Sequence, residues 1–109
     1  MTYQHRELAN GKWRELSLIE QLANIGSEVE RTISWRSKNP EYSRLAFERA
    51  LELIDLTLAD GKNRRRCKEI ARVREVLSDY FVGDNQWKST DQLWRNYFYP
   101  FNYAARAHL

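Results

Sequence analysis

The stretch NPEYSRLAFERALELIDLTLADG, residues 39–61, carries in one run the signals that start, sustain and stop a helix. Asn39 can cap the first turn, Pro40 suits the first helical position, and Glu41 favours the positive end of the helix dipole. Phe47, Ala50, Leu51, Ile54 and Leu58 recur at helical spacing. Leu45, Leu53 and Leu56 widen that stripe, so the segment reads as a helix buried on more than one side. Asp60 and Gly61 end it, Gly61 being able to take the left-handed C-terminal conformation.

The flanking segments read as helices too. On the N-terminal side, Ser17 and Glu20 form a capping-box pattern. Leu18, Leu22, Ile25, Val29 and Ile33 then line one helical stripe. Gly26 lies inside it, at a cost of about 1 kcal/mol against alanine, and is expected to permit close approach of a neighbouring helix. On the C-terminal side, a third helix is predicted from Asn63 to about Phe81. Its inner face carries Cys67, Ile70, Val73 or Arg74, Leu77 and Tyr80 or Phe81, and Gly83-Asp84-Asn85 stops it. A fourth is predicted to start at Ser89 or Thr90, where Ser89 and Gln92 again match a capping box. Trp94, Tyr97 or Phe98, Phe101 and Ala105 follow at helical spacing, and Pro100 predicts a kink or break. Residues 1–12, with the turn signal Asn10-Gly11, read as a loose arm or a short extra turn. The expected fold is all-α: an antiparallel four-helix bundle with a Pro-kinked last helix, a single domain over residues 1–109.

At 109 residues, 42% hydrophobic and 30% charged, the chain can bury one modest core and is too apolar for a disordered one. No apolar run approaches the roughly 18–20 residues of a membrane span, and no signal peptide is expected. One cysteine, Cys67, excludes an internal disulfide framework and fits a reducing cytoplasm. It reads as a structural thiol, since no histidine is placed to serve as its base. The two histidines, His5 and His108, lie at opposite ends, so no Cys/His metal site is expected and no cofactor is implied.

Charge is unevenly spread. Residues 62–74 hold seven basic side chains against the single acid Glu69, a local balance of +6 in a chain whose net charge is +3. Arg64, Lys68 and Arg72 fall on one helical face with Arg65 beside them, a stripe suited to phosphates. The competing reading is a solvated face paired with acids, Arg65 with Glu69 and Arg72 with Glu75. A second cluster is aromatic: Trp94, Tyr97, Phe98, Tyr99, Phe101 and Tyr103 lie within ten residues. Trp94, Phe98 and Phe101 have core spacing. Tyr97, Tyr99 and Tyr103 fall partly on other faces and are the interface candidates, with a base-stacking platform as the alternative reading. Trp87 is expected to cover the bundle end, with Trp13 and Trp35 doing likewise near the first helix. Glu52 and Asp55 share a helix face, as in a helical nucleotide pyrophosphatase of the MazG type that holds Mg²⁺. Glu28 and Glu30 do not complete that pattern, so the pair also reads as the outer edge of an apolar helix.

The order of elements from about Leu18 to Phe101, the segment Tyr42–Leu51 and the pair Arg95-Asn96 opening the last helix together resemble the HEPN group. These are small helical bundles found beside minimal nucleotidyltransferases and in toxin–antitoxin pairs. Ribonuclease members follow the arginine and its polar neighbour with a histidine, and the pair cleaves RNA across a dimer. The corresponding positions here hold Pro100, Phe101 and Asn102. The resemblance therefore implies a non-catalytic, dimeric member, with Arg95 and Asn96 as the remnant of a site and a nucleotidyltransferase or other protein as partner. The expected function is a cytoplasmic binding or accessory module. Its basic face, Arg64, Arg65, Lys68 and Arg72, meets a nucleotide, a nucleic acid or an acidic protein. The alternatives are a divergent HEPN-type ribonuclease, a Mg²⁺-dependent nucleotide hydrolase, or a purely structural assembly subunit.

Overall fold

The computed structural model describes residues 11–107, and these contain four α-helices and no strand. They are α1 (Leu18–Trp35), α2 (Pro40–Ala59), α3 (Cys67–Val82) and α4 (Asp91–Ala107). Two short 3-10 segments, Lys12–Glu15 and Gly61–Arg66, precede α1 and α3. Most of the expected N-terminal arm lies outside the described residues. Its last residue, Lys12, begins the first 3-10 segment.

Local chemistry sets the helix starts. The Ser17 hydroxyl accepts the Glu20 N–H at 3.1 Å, and the Glu20 carboxylate accepts the Ser17 N–H at 3.0 Å. Both orphan donors are thereby satisfied. Asn39 accepts the Tyr42 N–H at the head of α2, with Pro40 in the first turn. At α4 the cap is Thr90, whose hydroxyl accepts the Leu93 N–H at 3.0 Å. The Ser89–Gln92 box does not form. Ser89 is buried and its N–H goes to the Asn85 side chain, while Gln92 reaches forward to Asn96.

The start of α3 and the expected break at Pro100 are also revised. Residues 61–66 wind as a 3-10 segment, so α3 begins at Cys67 and not at Asn63. The cause is Asn63, which is buried and donates to the Gln21 side chain and the Thr57 carbonyl. Asp60 accepts the Lys62 N–H and caps this tighter turn. Helix α4 also runs through Pro100 without a break. Pro100 is exposed, and its missing N–H removes the bond that the Asn96 carbonyl would otherwise receive.

One apolar cluster joins all four helices. Leu22, Ile25, Val29 and Ile33 of α1 meet Phe47, Ala50, Leu53 and Ile54 of α2. Ile70, Val73 and Leu77 come from α3, and Trp94 and Phe98 from α4. The most extensive packing is of α1 against α2 and α4. Gly26 makes the second of these contacts possible: a methyl group there would lie 2.8 Å from the Phe98 Cβ. In α2 the buried side chains include Ala46, Phe47, Ala50, Leu53, Ile54 and Thr57, with Leu51 and Leu58 only half-buried.

Polar ties close the two ends. At one, the Trp13 indole N–H donates to Thr57 Oγ1 at 2.9 Å. The Gln21 amide donates to the Trp13 carbonyl and to Asp60. Trp13, Gln21, Thr57, Asp60 and Asn63 are all buried, so Trp13 is a core residue and not a cover. At the other end, Arg36 grips the Asp91 carboxylate through two bonds of 2.9 and 2.7 Å, and the Tyr80 hydroxyl donates to the same carboxylate.

Burial alone would push the Asp91 carboxyl up. The Tyr80 hydroxyl and the Arg36 guanidinium outweigh it and hold the group below the ordinary carboxylate range. A lowered folded-state pKa stabilises the fold above the unfolded value, and that contribution is lost as pH falls through the folded pKa. Asp91→Ala is expected to destabilise by about 1–2 kcal/mol at neutral pH, the pair being partly exposed. The penalty should shrink below about pH 4, which urea unfolding at several pH values will show.

Candidate anion-binding face

The basic run is sorted by its partners. Lys62 is drawn to Asp60. Arg66 takes the Glu69 carboxylate at 2.7 Å, and Arg74 reaches Asp55 on α2 at 2.7 Å. Arg72 and Glu75 stand 3.9 Å apart, both exposed, a separation that contributes little. Arg64, Arg65 and Lys68 are exposed and form no ion pair among the described residues. The Arg65–Glu69 pairing of the solvated-face reading does not form, because Glu69 is occupied from two sides. Its other oxygen accepts the Tyr97 hydroxyl at 3.0 Å.

The structure adds a member that the charge pattern did not show. Trp87 is 42% exposed, and the Arg72 guanidinium lies 4.7 Å from its ring centroid. This is cation–π contact, and Trp87 does not cover the core. Its loop is pinned: the Asp79 carboxylate accepts the N–H groups of Gln86 and Trp87, and Asn85 bonds Ser89 through both ends of its amide. Asn85 and Lys88 both have φ of 53°, and Lys88 is exposed beside the tryptophan. A non-glycine residue in the left-handed region is uncommon, and the fixed loop holds it there. Lys68 and Arg72, one turn apart, thus continue onto a rigidly presented indole. The signal available in the sequence was the turn cluster Gly83-Asp84-Asn85 with a tryptophan, Trp87, two residues beyond it.

The remaining candidates separate. Arg95 lines a groove of about 190 Å³ between α1 and α4, together with Gly26, Glu30, Tyr99 and Asn102. Its guanidinium is held by Glu30 at 3.0 Å. Asn96 is exposed, accepts the Gln92 amide, and does not line that groove. Of Pro100, Phe101 and Asn102, Asn102 alone lines the groove with Arg95.

Tyr97 is half-buried against Trp94, Phe98 and Phe101. Burial and the bond to Glu69 raise its phenol pKa, so it ties α4 to α3. Tyr99 and Tyr103 are exposed and stack on each other, with centroids 6.3 Å apart. Asp55 is committed to Arg74 and Glu52 is buried, so the two do not present one open carboxylate face. No cluster of three or more His, Cys, Asp or Glu able to hold a metal occurs among the described residues. No described helix is long and apolar enough to cross a membrane. Comparison with protein-family models, with curated proteins and with solved structures finds no match.

Proposed function

We propose that this chain is a cytoplasmic binding module, an antiparallel four-helix bundle in which the 3-10 segment Gly61–Arg66 and the first turns of α3 (together the α3 face) take a phosphate-bearing partner, foremost a single-stranded nucleic acid. The observation that carries this reading is the set Arg64, Arg65 and Lys68, without acidic partners among the described residues, with Arg72, one turn beyond Lys68, against the exposed Trp87. Unpaired cations supply the salt-dependent attraction to phosphates, and an exposed indole supplies a stacking surface that any base can use. An acidic protein would use the charges and leave the indole idle. The antiparallel order is supported by the ties between α1 and α4, which pair Arg36 with Asp91, Glu30 with Arg95 and Gly26 with Phe98.

The test is titration of a labelled single-stranded oligonucleotide against the chain and its Arg64→Gln/Arg65→Gln/Lys68→Gln variant. Binding should weaken roughly 10- to 30-fold in the variant at low salt, since each lost phosphate contact removes a share of counterion release. Equal competition by polyglutamate would shift the reading to an acidic protein partner. RNA cleavage that disappears in Arg95→Ala would favour a HEPN-type ribonuclease instead.

The module is further proposed to be a homodimer, with Tyr99 and Tyr103 at the contact. Their stacked, exposed rings are, with Leu93, large apolar surface of α4 that internal packing leaves over. Sedimentation should give a dimer that Tyr99→Ser/Tyr103→Ser dissociates, and a monomer at high micromolar concentration would refute it.

A further inference from the structure

A second recess lies between the C-terminal half of α1 and the N-terminal half of α2. It measures about 250 Å³ and is lined by Arg31, Trp35, Tyr42, Leu45, Ala46 and Arg49. Trp35 and Tyr42 are 40% and 53% exposed, and their rings meet edge to face at 5.3 Å and 85°. Two large aromatic side chains that stay in water while touching each other leave ring surface that the core does not use. Ala46 is buried among these larger residues, and its small side chain leaves room between them.

Each helix contributes one guanidinium. Arg31 gives Nη1 to the Glu28 carboxylate at 2.7 Å. A guanidinium has five N–H donors in a planar fork, so this bond orients Arg31 and leaves further donors. Arg49 is half-buried and is also engaged within the protein. The exposed acids of this part of α2, Glu41 and Glu48, are both held by Arg44. The recess thus combines aromatic surface with two guanidinium groups, and its volume suits one ring with an acid group.

We propose that this recess binds a small aromatic anion, with its ring against Trp35 and Tyr42 and its carboxylate or phosphate on Arg31 and Arg49. The site is independent of the α3 face. The experiment is a ¹⁵N–¹H titration of the full chain with benzoate and phenyl phosphate, with benzamidine and benzyl alcohol as cationic and neutral counterparts. The two anions should shift the Trp35 indole N–H and leave that of buried Trp13 in place. Arg49→Gln and the exposed-site variant Tyr42→Ala should each weaken binding at least fivefold, Arg49→Lys by less than Arg49→Gln, and Arg64→Gln not at all. Equal shifts by benzamidine, or anion-induced shifts confined to the α3 face around Lys68, would overturn the proposal. So would an unshifted Trp35 signal.

Discussion

Gly26→Val is expected to lower stability by about 2–3 kcal/mol, the cost of forcing extra atoms into a packed interface. A residue at this point of α1 faces Phe98, and even a methyl group would stand 2.8 Å from its Cβ. That atom belongs to the stem of a side chain on a packed helix, so relief requires α1 and α4 to separate. Gly26→Ala sharpens the point, because its two effects oppose each other. At an exposed helical site the substitution would stabilise by about 1 kcal/mol. Here the clash should outweigh that gain and the net sign should be destabilising. Thermal unfolding of both variants gives the answer, with a drop on the order of 10 °C for valine. A stabilised Gly26→Ala would mean that α1 and α4 are not in this contact.

Trp13→Ala is expected to cost more, about 3–5 kcal/mol, although Trp13 belongs to none of the four helices. Its ring is buried, its indole N–H is bonded to Thr57, and its carbonyl receives the Gln21 amide. Removing it leaves a cavity at the closed end of the core. It also takes from Thr57 Oγ1 a donor that water cannot easily replace. The urea midpoint should fall accordingly. Trp87→Ala offers the comparison: exposed and resting on Arg72, it should change stability by less than about 0.5 kcal/mol. If the two variants proved equally stable, the first 3-10 segment would not be part of the core.

What could be read in advance divides along the range of the interactions. The caps at Ser17 and Asn39 were legible because donor and acceptor lie within one turn. The α1 stripe Leu22, Ile25, Val29 and Ile33 was legible because period alone decides it. Adjacent hydroxyls at Ser89 and Thr90 left the α4 cap open, and the contest was settled by Asn85 taking the Ser89 N–H. The 3-10 winding before α3 depends on Asn63 meeting Gln21, 42 residues away in sequence, which no local pattern records. The burial of Trp13 depends on Thr57 in the same manner.

The candidate site shows the same division. A +6 segment is visible by counting, but which cations lack a partner among the described residues depends on acids brought in by other elements. Asp55 takes Arg74 from across the α2–α3 contact, and Glu69 is shared between Arg66 and Tyr97. The presentation of Trp87 rests on Asp79 accepting two loop N–H groups. The tyrosines divide likewise. Tyr97 is half-buried and finds its partner in Glu69 on α3, which leaves Tyr99 and Tyr103 as the exposed pair.

The central claim is that phosphates are met by Arg64, Arg65 and Lys68, which have no acidic partner among the described residues. The most direct measurement is the salt dependence of oligonucleotide binding by the chain and by its Arg64→Gln/Arg65→Gln/Lys68→Gln variant. With three or four phosphate contacts, log K for a single strand should fall against log salt with a slope of about −2 to −3. The variant should lose most of that slope along with its affinity. An unchanged slope and affinity in the variant, or no binding by the unaltered chain at about 50 mM salt, would contradict the account.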